Sequence, residues 1–405
     1  MIGIDVVRQT VRAQKENLSQ KETGLKREAL ADIPDLTSFA LIVSGIRRCG
    51  KSTLLFQLLE KRYPKAFYLN FEDPRLYDFE LKDFARLDQL IAEAEARVLL
   101  FDEIQIVTGW ERYARQKLDE GHKMVITGSN ASLLSRELGT KLTGRHVTKE
   151  LFPFSYSEFN TFRHQEPGVD SLTSYLRTGG FPEYVRQNAD EILNHILEDI
   201  LIRDIAVRYS IRDVKSLQRL ALNLLSNVGN LITANRLKSL LGVGSANTIT
   251  DFLSYLEDSY LLYLVPKFDY SFRKQLVNPR KVYVIDTGLA SVNSASFSGD
   301  HGRLLENLVY MHLRRKQKGI YYYSGKGECD FVVSEKGKIK TCVQVCYELT
   351  PDNMDRELNG LKEALDFFKL KKGTLVTLTQ SDHFEMEKKI VNVVPAHQYL
   401  LDGGV

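Results

Sequence analysis

Residues 38–59 constrain this chain more than any other stretch. An apolar run, 38–44 (SFALIVS), leads into Gly45-Ile-Arg-Arg-Cys-Gly50-Lys51-Ser52, after which Leu54, Leu55, Leu58 and Leu59 recur at helical spacing. Every fixed position of G-x-x-x-x-G-K-[ST] is filled, between a strand and a helix. In that arrangement the glycines let the backbone turn its N–H groups onto phosphate oxygens. Lys51 supplies positive charge to the β and γ phosphates, Ser52 offers a hydroxyl to Mg²⁺, and the helix presents its N-terminus to the anion. The competing reading is a glycine-rich turn without a ligand; the strand before the loop and the helix after it favour the phosphate loop.

A second motif fits the first. Val98-Leu-Leu-Phe-Asp102-Glu103 ends an apolar strand in two carboxylates. Beside a phosphate loop, Asp102 would hold Mg²⁺, directly or through water, and Glu103 would orient or deprotonate the attacking water. Taken alone the pair would be an acidic strand-end cap. One more strand, 66–71 (AFYLNF), lies between the two motifs in sequence. An intervening strand with a glutamate after the aspartate describes the additional-strand class of P-loop ATPases rather than kinases or GTPases.

Strands at 38–44, 66–71, 97–102, 123–128 and 146–151 alternate with helical stretches, the signature of a mostly parallel α/β sheet. At 405 residues, two to four domains are expected. With 43% apolar and 26% charged residues the composition is that of a soluble globular protein. The net charge of +3 neither demands nor excludes a polyanionic partner. The first ten residues carry Asp5 and Arg8, which argues against a signal peptide, and the most apolar run, 260–265, is too short to span a bilayer. Four cysteines, Cys49, Cys329, Cys342 and Cys346, form no C-x-x-C pair and suggest a reducing, cytoplasmic setting.

The chain resembles AAA+ ATPases of the prokaryotic group that carries an uncharacterised C-terminal domain. The residues behind the resemblance are the phosphate loop with Arg47 and Arg48, Leu99-Leu-Phe-Asp102-Glu103-Ile-Gln105, Thr127-Gly128-Ser129-Asn130, Leu142-Thr-Gly144-Arg145, Leu151-Phe-Pro153-Phe-Ser155, and Gly179-Gly180-Phe181-Pro182. It covers nearly the whole chain and departs from the pattern mainly in the last domain. It implies ATP and Mg²⁺ as cofactors, with Gly45, Arg47, Arg48, Gly50, Lys51, Ser52 and Thr53 around the nucleotide and Ser52 with Asp102 on the metal. It implies that Ser129 or Asn130 senses the γ-phosphate, unless the segment is only a turn. It also implies that Arg145 reaches a neighbouring subunit's site, unless it is a solvated surface arginine. That role needs a closed homo-oligomer, and the resemblance implies a hexameric or heptameric ring. Arg203 is read as a helix-surface or salt-bridging residue in preference to a lid sensor.

Residues 1–36 are read as an N-terminal helical segment, 37–155 as the P-loop AAA+ core and 156–215 as a helical lid. Residues 216–295 run helix, tight turn, helix, hairpin, the order of a winged helix-turn-helix. The recognition-type helix is placed at 245–260, with Asn247, Thr248 and Thr250 near its start. A basic wing holds Lys267, Arg273, Lys274, Arg280 and Lys281. That footprint suits DNA phosphates, and a winged helix used for packing against protein fits equally. Residues 296–405 resemble a restriction-endonuclease-like α/β domain, the PD-(D/E)xK nuclease fold, with Glu306 and Asp330 as its acids. The strand face that should complete a metal cage reads Cys342, Gln344, Cys346, Glu348, without the needed glutamate and lysine. A degenerate domain without nuclease activity is expected, with buried structural cysteines rather than a soft-metal site. The leading reading is an ATPase ring, with no membrane partner, that remodels or translocates DNA. The alternatives are a nucleotide-gated switch that binds proteins, and an active nuclease driven by an ATPase motor.

Overall fold

Apolar segments too short for helices become one parallel sheet: β1 (Ala40–Ser44), β2 (Phe67–Asn70), β3 (Val98–Asp102), β4 (Lys123–Gly128) and β5 (His146–Glu150). Their order is β2-β3-β4-β1-β5, and every neighbouring pair is parallel. A parallel sheet is covered on both faces, so its central strands read as continuous apolar runs; β1 is buried along its whole length. The connections include α2 (Lys51–Lys61), α3 (Phe84–Glu93) and α4 (Trp110–Asp119). On one face Phe71, Phe84, Phe101, Trp110 and Tyr113 form the core, with the rings of Phe84 and Tyr113 stacked at 3.9 Å.

The computed structural model describes residues 2–20, 23–129, 144–294 and 300–401. The chain divides into two units, Met1–Phe152 and Pro153–Val405. The N-terminal helix α1 (Ile4–Gln20) belongs to the first. It buries Val7 in the core, and its Gln14 side chain exchanges hydrogen bonds with the Asn70 backbone, accepting from N–H at 2.8 Å and donating to the carbonyl at 3.0 Å. A side-chain amide thus covers the open edge of β2.

The second unit begins with short helices. Ser155 and Glu158 cap the helix Tyr156–Arg163 reciprocally. The Gly179-Gly180 turn wraps the buried Asp286 carboxylate, which accepts the Gly180 N–H at 2.6 Å and the Leu289 N–H at 2.9 Å. A β-carbon at Gly179, whose φ is +69°, would overlap that carboxylate. Helix Val214–Leu225, β6 (Leu231–Ile232), helices Ala234–Leu241 and Ala246–Asp258, β7 (Leu262–Pro266), a short helix Phe272–Val277 and β8 (Arg280–Val284) follow in order. The three strands form a sheet β6-β8-β7. Helix His301–Lys316 then leads into β9 (Gly319–Ser324), β10 (Glu328–Glu335), β11 (Lys338–Val345), helix Met354–Phe367, β12 (Lys372–Thr377), β13 (Asp382–Met386) and β14 (Lys389–Pro395). These six strands lie in the order β13-β14-β12-β11-β10-β9.

Candidate functional site

The phosphate loop leaves β1 at its C-terminal end and turns into α2 at Lys51. A β-carbon at Gly45 would overlap the Leu151 carbonyl, and Gly50 has φ +101°, so both positions require glycine. Lys51 is folded back over the loop. Its ammonium donates to the carbonyls of Gly45 and Ile46 at 3.1 and 3.2 Å and lies 3.6 Å from Glu103 Oε1. Thr53 occupies the first turn of α2. Arg47 lies 3.5 Å from Glu72, and Arg48 holds a left-handed backbone, φ 61°.

Asp102 ends β3 and is fully buried. In space β4 separates β3 from β1; β2, which intervenes in sequence, lies at the sheet edge. Asp102 accepts hydrogen bonds from Thr127 of β4, from Tyr68 at 3.2 Å and from Ser52. Burial, then the neighbouring Glu103, raises its pKa against the pull of those hydroxyls and Lys51. Glu103 sits at φ 53°, a strained conformation for a residue with a β-carbon. It is held there by its N–H on Thr127 Oγ1 at 3.0 Å and by Gln105, which donates to its carboxylate. Two hard oxygen donors, Ser52 and Asp102, therefore face each other below a loop of N–H groups. That donor set suits Mg²⁺ beside a polyphosphate. A cavity of about 480 Å³ opens beside Ser52, bordered by Gln14, Tyr68, Asn70, Glu72 and Asp73.

Ser129 is buried directly after β4; Asn130 lies outside the described residues. Arg145 precedes β5, at the end of the parallel sheet opposite the phosphate loop, and pairs with Asp119 at the end of α4. Arg203 is exposed and pairs with Asp199 at 3.2 Å, one helical turn away.

Sequence reasoning missed Arg27. Its buried guanidinium donates to Cys49 O and Phe152 O, each at 2.7 Å, and a β-carbon at Gly50 would lie 2.8 Å from its Nη1. It fastens the phosphate loop to the strand that ends beside it. Nothing in its local sequence distinguishes it from a surface arginine.

Lys281 is a correction. Read as a wing cation facing phosphates, it is instead only 4% exposed. Its ammonium lies 2.6 Å from Glu328, 2.8 Å from Asp330 and 3.2 Å from Glu306. Burial alone would lower its pKa, but Asp330, Glu306 and Glu328 outweigh it and keep the ammonium charged. Glu306 also accepts from Tyr283 OH at 2.5 Å. Its own pKa is pushed up to about 7 by burial and by Asp330. Gln344 accepts the Asp330 N–H at 3.1 Å and donates to Glu357 at 2.7 Å, so it is used up in structural hydrogen bonds. The four cysteines are buried and unpaired. Among the described residues no group of three His, Cys, Asp or Glu side chains is arranged to hold a metal ion, and no helix is long and apolar enough to cross a membrane.

Comparison with known proteins agrees with the first sheet. Residues 37–160 match an AAA domain, 169–297 a domain of unknown function, DUF8612, and 301–399 another, DUF4143. An uncharacterized protein of Methanocaldococcus jannaschii is 33% identical over 392 residues, covering 89% of this chain and 88% of that one. An uncharacterized protein of Haemophilus influenzae is 34% identical over 362 residues, covering 82% and 88%. Looser likenesses are to Cdc6p from Pyrobaculum aerophilum (TM-score 0.26, 12% identity, 63% of this chain and 85% of that one) and to C. elegans PCH-2 (TM-score 0.23, 15% identity, 62% and 68%). The full-length relatives and the domain matches together place this chain in a family of AAA-domain proteins that carry two further domains of unknown function.

Proposed function

We propose that this chain hydrolyses ATP with Mg²⁺ and works as a homo-oligomeric ring on DNA. One observation carries the ATPase reading: Lys51 and Ser52 of the loop meet Asp102, Glu103 and Thr127 at the C-terminal end of the parallel strands. Loop N–H groups and Lys51 would bind the phosphates, Ser52 and Asp102 would hold Mg²⁺, and Glu103 would orient the attacking water. When bound, Mg²⁺ would supply positive charge beside the phosphate oxygens. The test is ATP turnover by the wild type against Lys51→Ala, which should lose nucleotide binding, and Glu103→Gln, which should bind ATP and turn it over far more slowly.

Arg145 supports the ring. It stands at the far end of the sheet from its own phosphate loop, so a catalytic Arg145 must serve a neighbour, and a head-to-tail contact that closes is a ring. We read residues 216–295 as a winged helix-turn-helix and the six-stranded domain as a nuclease relative that has lost cleavage. Lys281 fills the space between Glu306 and Asp330 that a cation would need. The second reading, a nucleotide-gated switch that binds protein, is favoured by helix Ala246–Asp258, which carries Asp251, Glu257 and Asp258 and no lysine or arginine. ATP turnover that DNA leaves unchanged would select it.

A further inference from the structure

The segment joining β7 to β8 breaks the usual rule for exposed surface. Tyr270 is 80% exposed and Phe272 71%, and Leu276 and Val277 of the same segment are also exposed. Large apolar side chains gathered in the open mark a place where something binds. Cations are interleaved with them: Arg273 and Lys274 are exposed, and Lys267 and Arg280 half-buried.

Tyr270 and Phe367 are held in place by neighbouring rings, and Phe272 stands in the open two residues after Tyr270. Phe268 donates its N–H to Tyr322 O at 2.8 Å, which ties the segment to β9. Its ring packs edge-on against Phe368 at 4.7 Å and Tyr321 at 5.5 Å. Tyr270 then lies 5.2 Å from Phe268 and 5.9 Å from Phe367, itself 45% exposed. The turn is fixed by Asp269, which accepts the Ser271 N–H at 2.8 Å on its carboxylate and the Gln275 amide at 2.6 Å on its carbonyl. Exposed Lys369, Lys371 and Lys372 follow Phe367 in sequence. The acidic groups nearby are largely neutralised: Asp366 pairs with Lys362 and Lys389, and Asp269 lies 3.8 Å from Lys274.

We propose that this aromatic and cationic platform, built by Tyr270, Phe272 and Phe367 with Arg273 and Lys274, binds single-stranded DNA by stacking its bases. Duplex DNA hides the faces of its bases, whereas a single strand offers them to any ring held in place beside cations for the backbone. Charge complementarity selects a polyanion over an apolar protein surface. The helix Ala246–Asp258, the element a winged helix would place in a major groove, carries no lysine or arginine to meet phosphates, and its one exposed carboxylate, Asp251, would repel them. The inference rests on the DNA reading given above. It moves the contact from that helix to the wing and names the strand state of the DNA.

The test is fluorescence anisotropy of the full chain with labelled dT20 and with a 20-base-pair duplex. The wild type should prefer dT20. The double variant Tyr270→Ser/Phe272→Ser should lose on the order of 5- to 150-fold in affinity for each ring that stacks a base, while Tyr270→Phe/Phe272→Tyr, which keeps both rings, binds as the wild type does. Arg273→Gln/Lys274→Gln should flatten the dependence of log affinity on log salt by about 1.4, two phosphate contacts on a single strand. Asn247→Ala/Thr248→Ala should leave dT20 binding unchanged. Preference for duplex, undiminished binding after ring removal, or loss of binding in the Asn247/Thr248 variant overturns the proposal. So does a wild type that binds neither DNA while ring removal changes its oligomeric state, which would make the platform an interface between copies. Basal ATP turnover, measured without DNA on each variant, reports on the nucleotide site alone and separates failure of this proposal from failure of the ATPase reading.

Discussion

Lys281→Met removes a positive charge from a buried site and leaves its shape nearly intact. The ammonium has three carboxylates within 3.2 Å. Glu306 and Asp330 are almost as buried as the lysine, whereas Glu328 is 46% exposed and is discounted because water screens it. Stranding the buried partners of an ion pair costs roughly 3–5 kcal/mol, which for a domain of this size lowers Tm by about 6–20 °C. The sign with pH follows from Glu306. Its folded pKa, about 7 with Lys281 present, rises further without that cation. A carboxyl with a raised folded pKa contributes stability that is full below the unfolded value of 4.5 and is lost as pH climbs through the folded value. The deficit of Lys281→Met should therefore be small at pH 5 and large at pH 8. Adding Asp330→Asn should recover part of it. Thermal melts at the two pH values decide the matter: an equal deficit at both, or none, would refute the ion cage.

Arg27→Met should cost roughly 3 kcal/mol, because two buried carbonyls lose charge-assisted donors, and should weaken ATP binding; nucleotide titration showing wild-type affinity would dismiss the clamp on the phosphate loop. Arg145→Ala subunits mixed with Lys51→Ala subunits should regain part of the turnover each lacks alone, since mixed interfaces restore one complete site. A monomer with full activity would sink that expectation. Incubation with duplex, single-stranded and branched DNA in Mg²⁺ or Mn²⁺ should give no cleavage; cleavage that vanishes in Asp330→Ala would falsify the degenerate reading of the last domain.

The first sheet was legible because buried parallel strands must be apolar throughout: segments such as ALIVS and VLLFD admit few other fates. That Asp102 and Glu103 would lie beside the phosphate loop was legible because a phosphate loop and a strand-end Asp-Glu constrain each other. Elsewhere the local signal was weaker than the tertiary one. The hairpin of β13 and β14 escaped notice because Asp382–Met386 is a largely exposed edge strand with little apolar pattern. Helix Phe272–Val277 buries none of its residues, so no amphipathic period announces it. Lys281 was misread because a lysine beside Arg280 looks like surface charge. Yet it shares strand parity with Tyr283, and both reach Glu306; alternation carried that information. Arg27 could be recognised only from the carbonyls it meets, which come from Cys49 and Phe152, far from it in sequence.

The central claim is tested most directly by single-turnover hydrolysis of radiolabelled ATP, with binding measured in parallel, for the wild type and Glu103→Gln. The account predicts equal nucleotide binding and a hydrolysis rate reduced by at least about two orders of magnitude in the variant, the contribution expected of a positioned base. Wild-type hydrolysis by Glu103→Gln, or no Mg²⁺-dependent hydrolysis by the wild type, would contradict it.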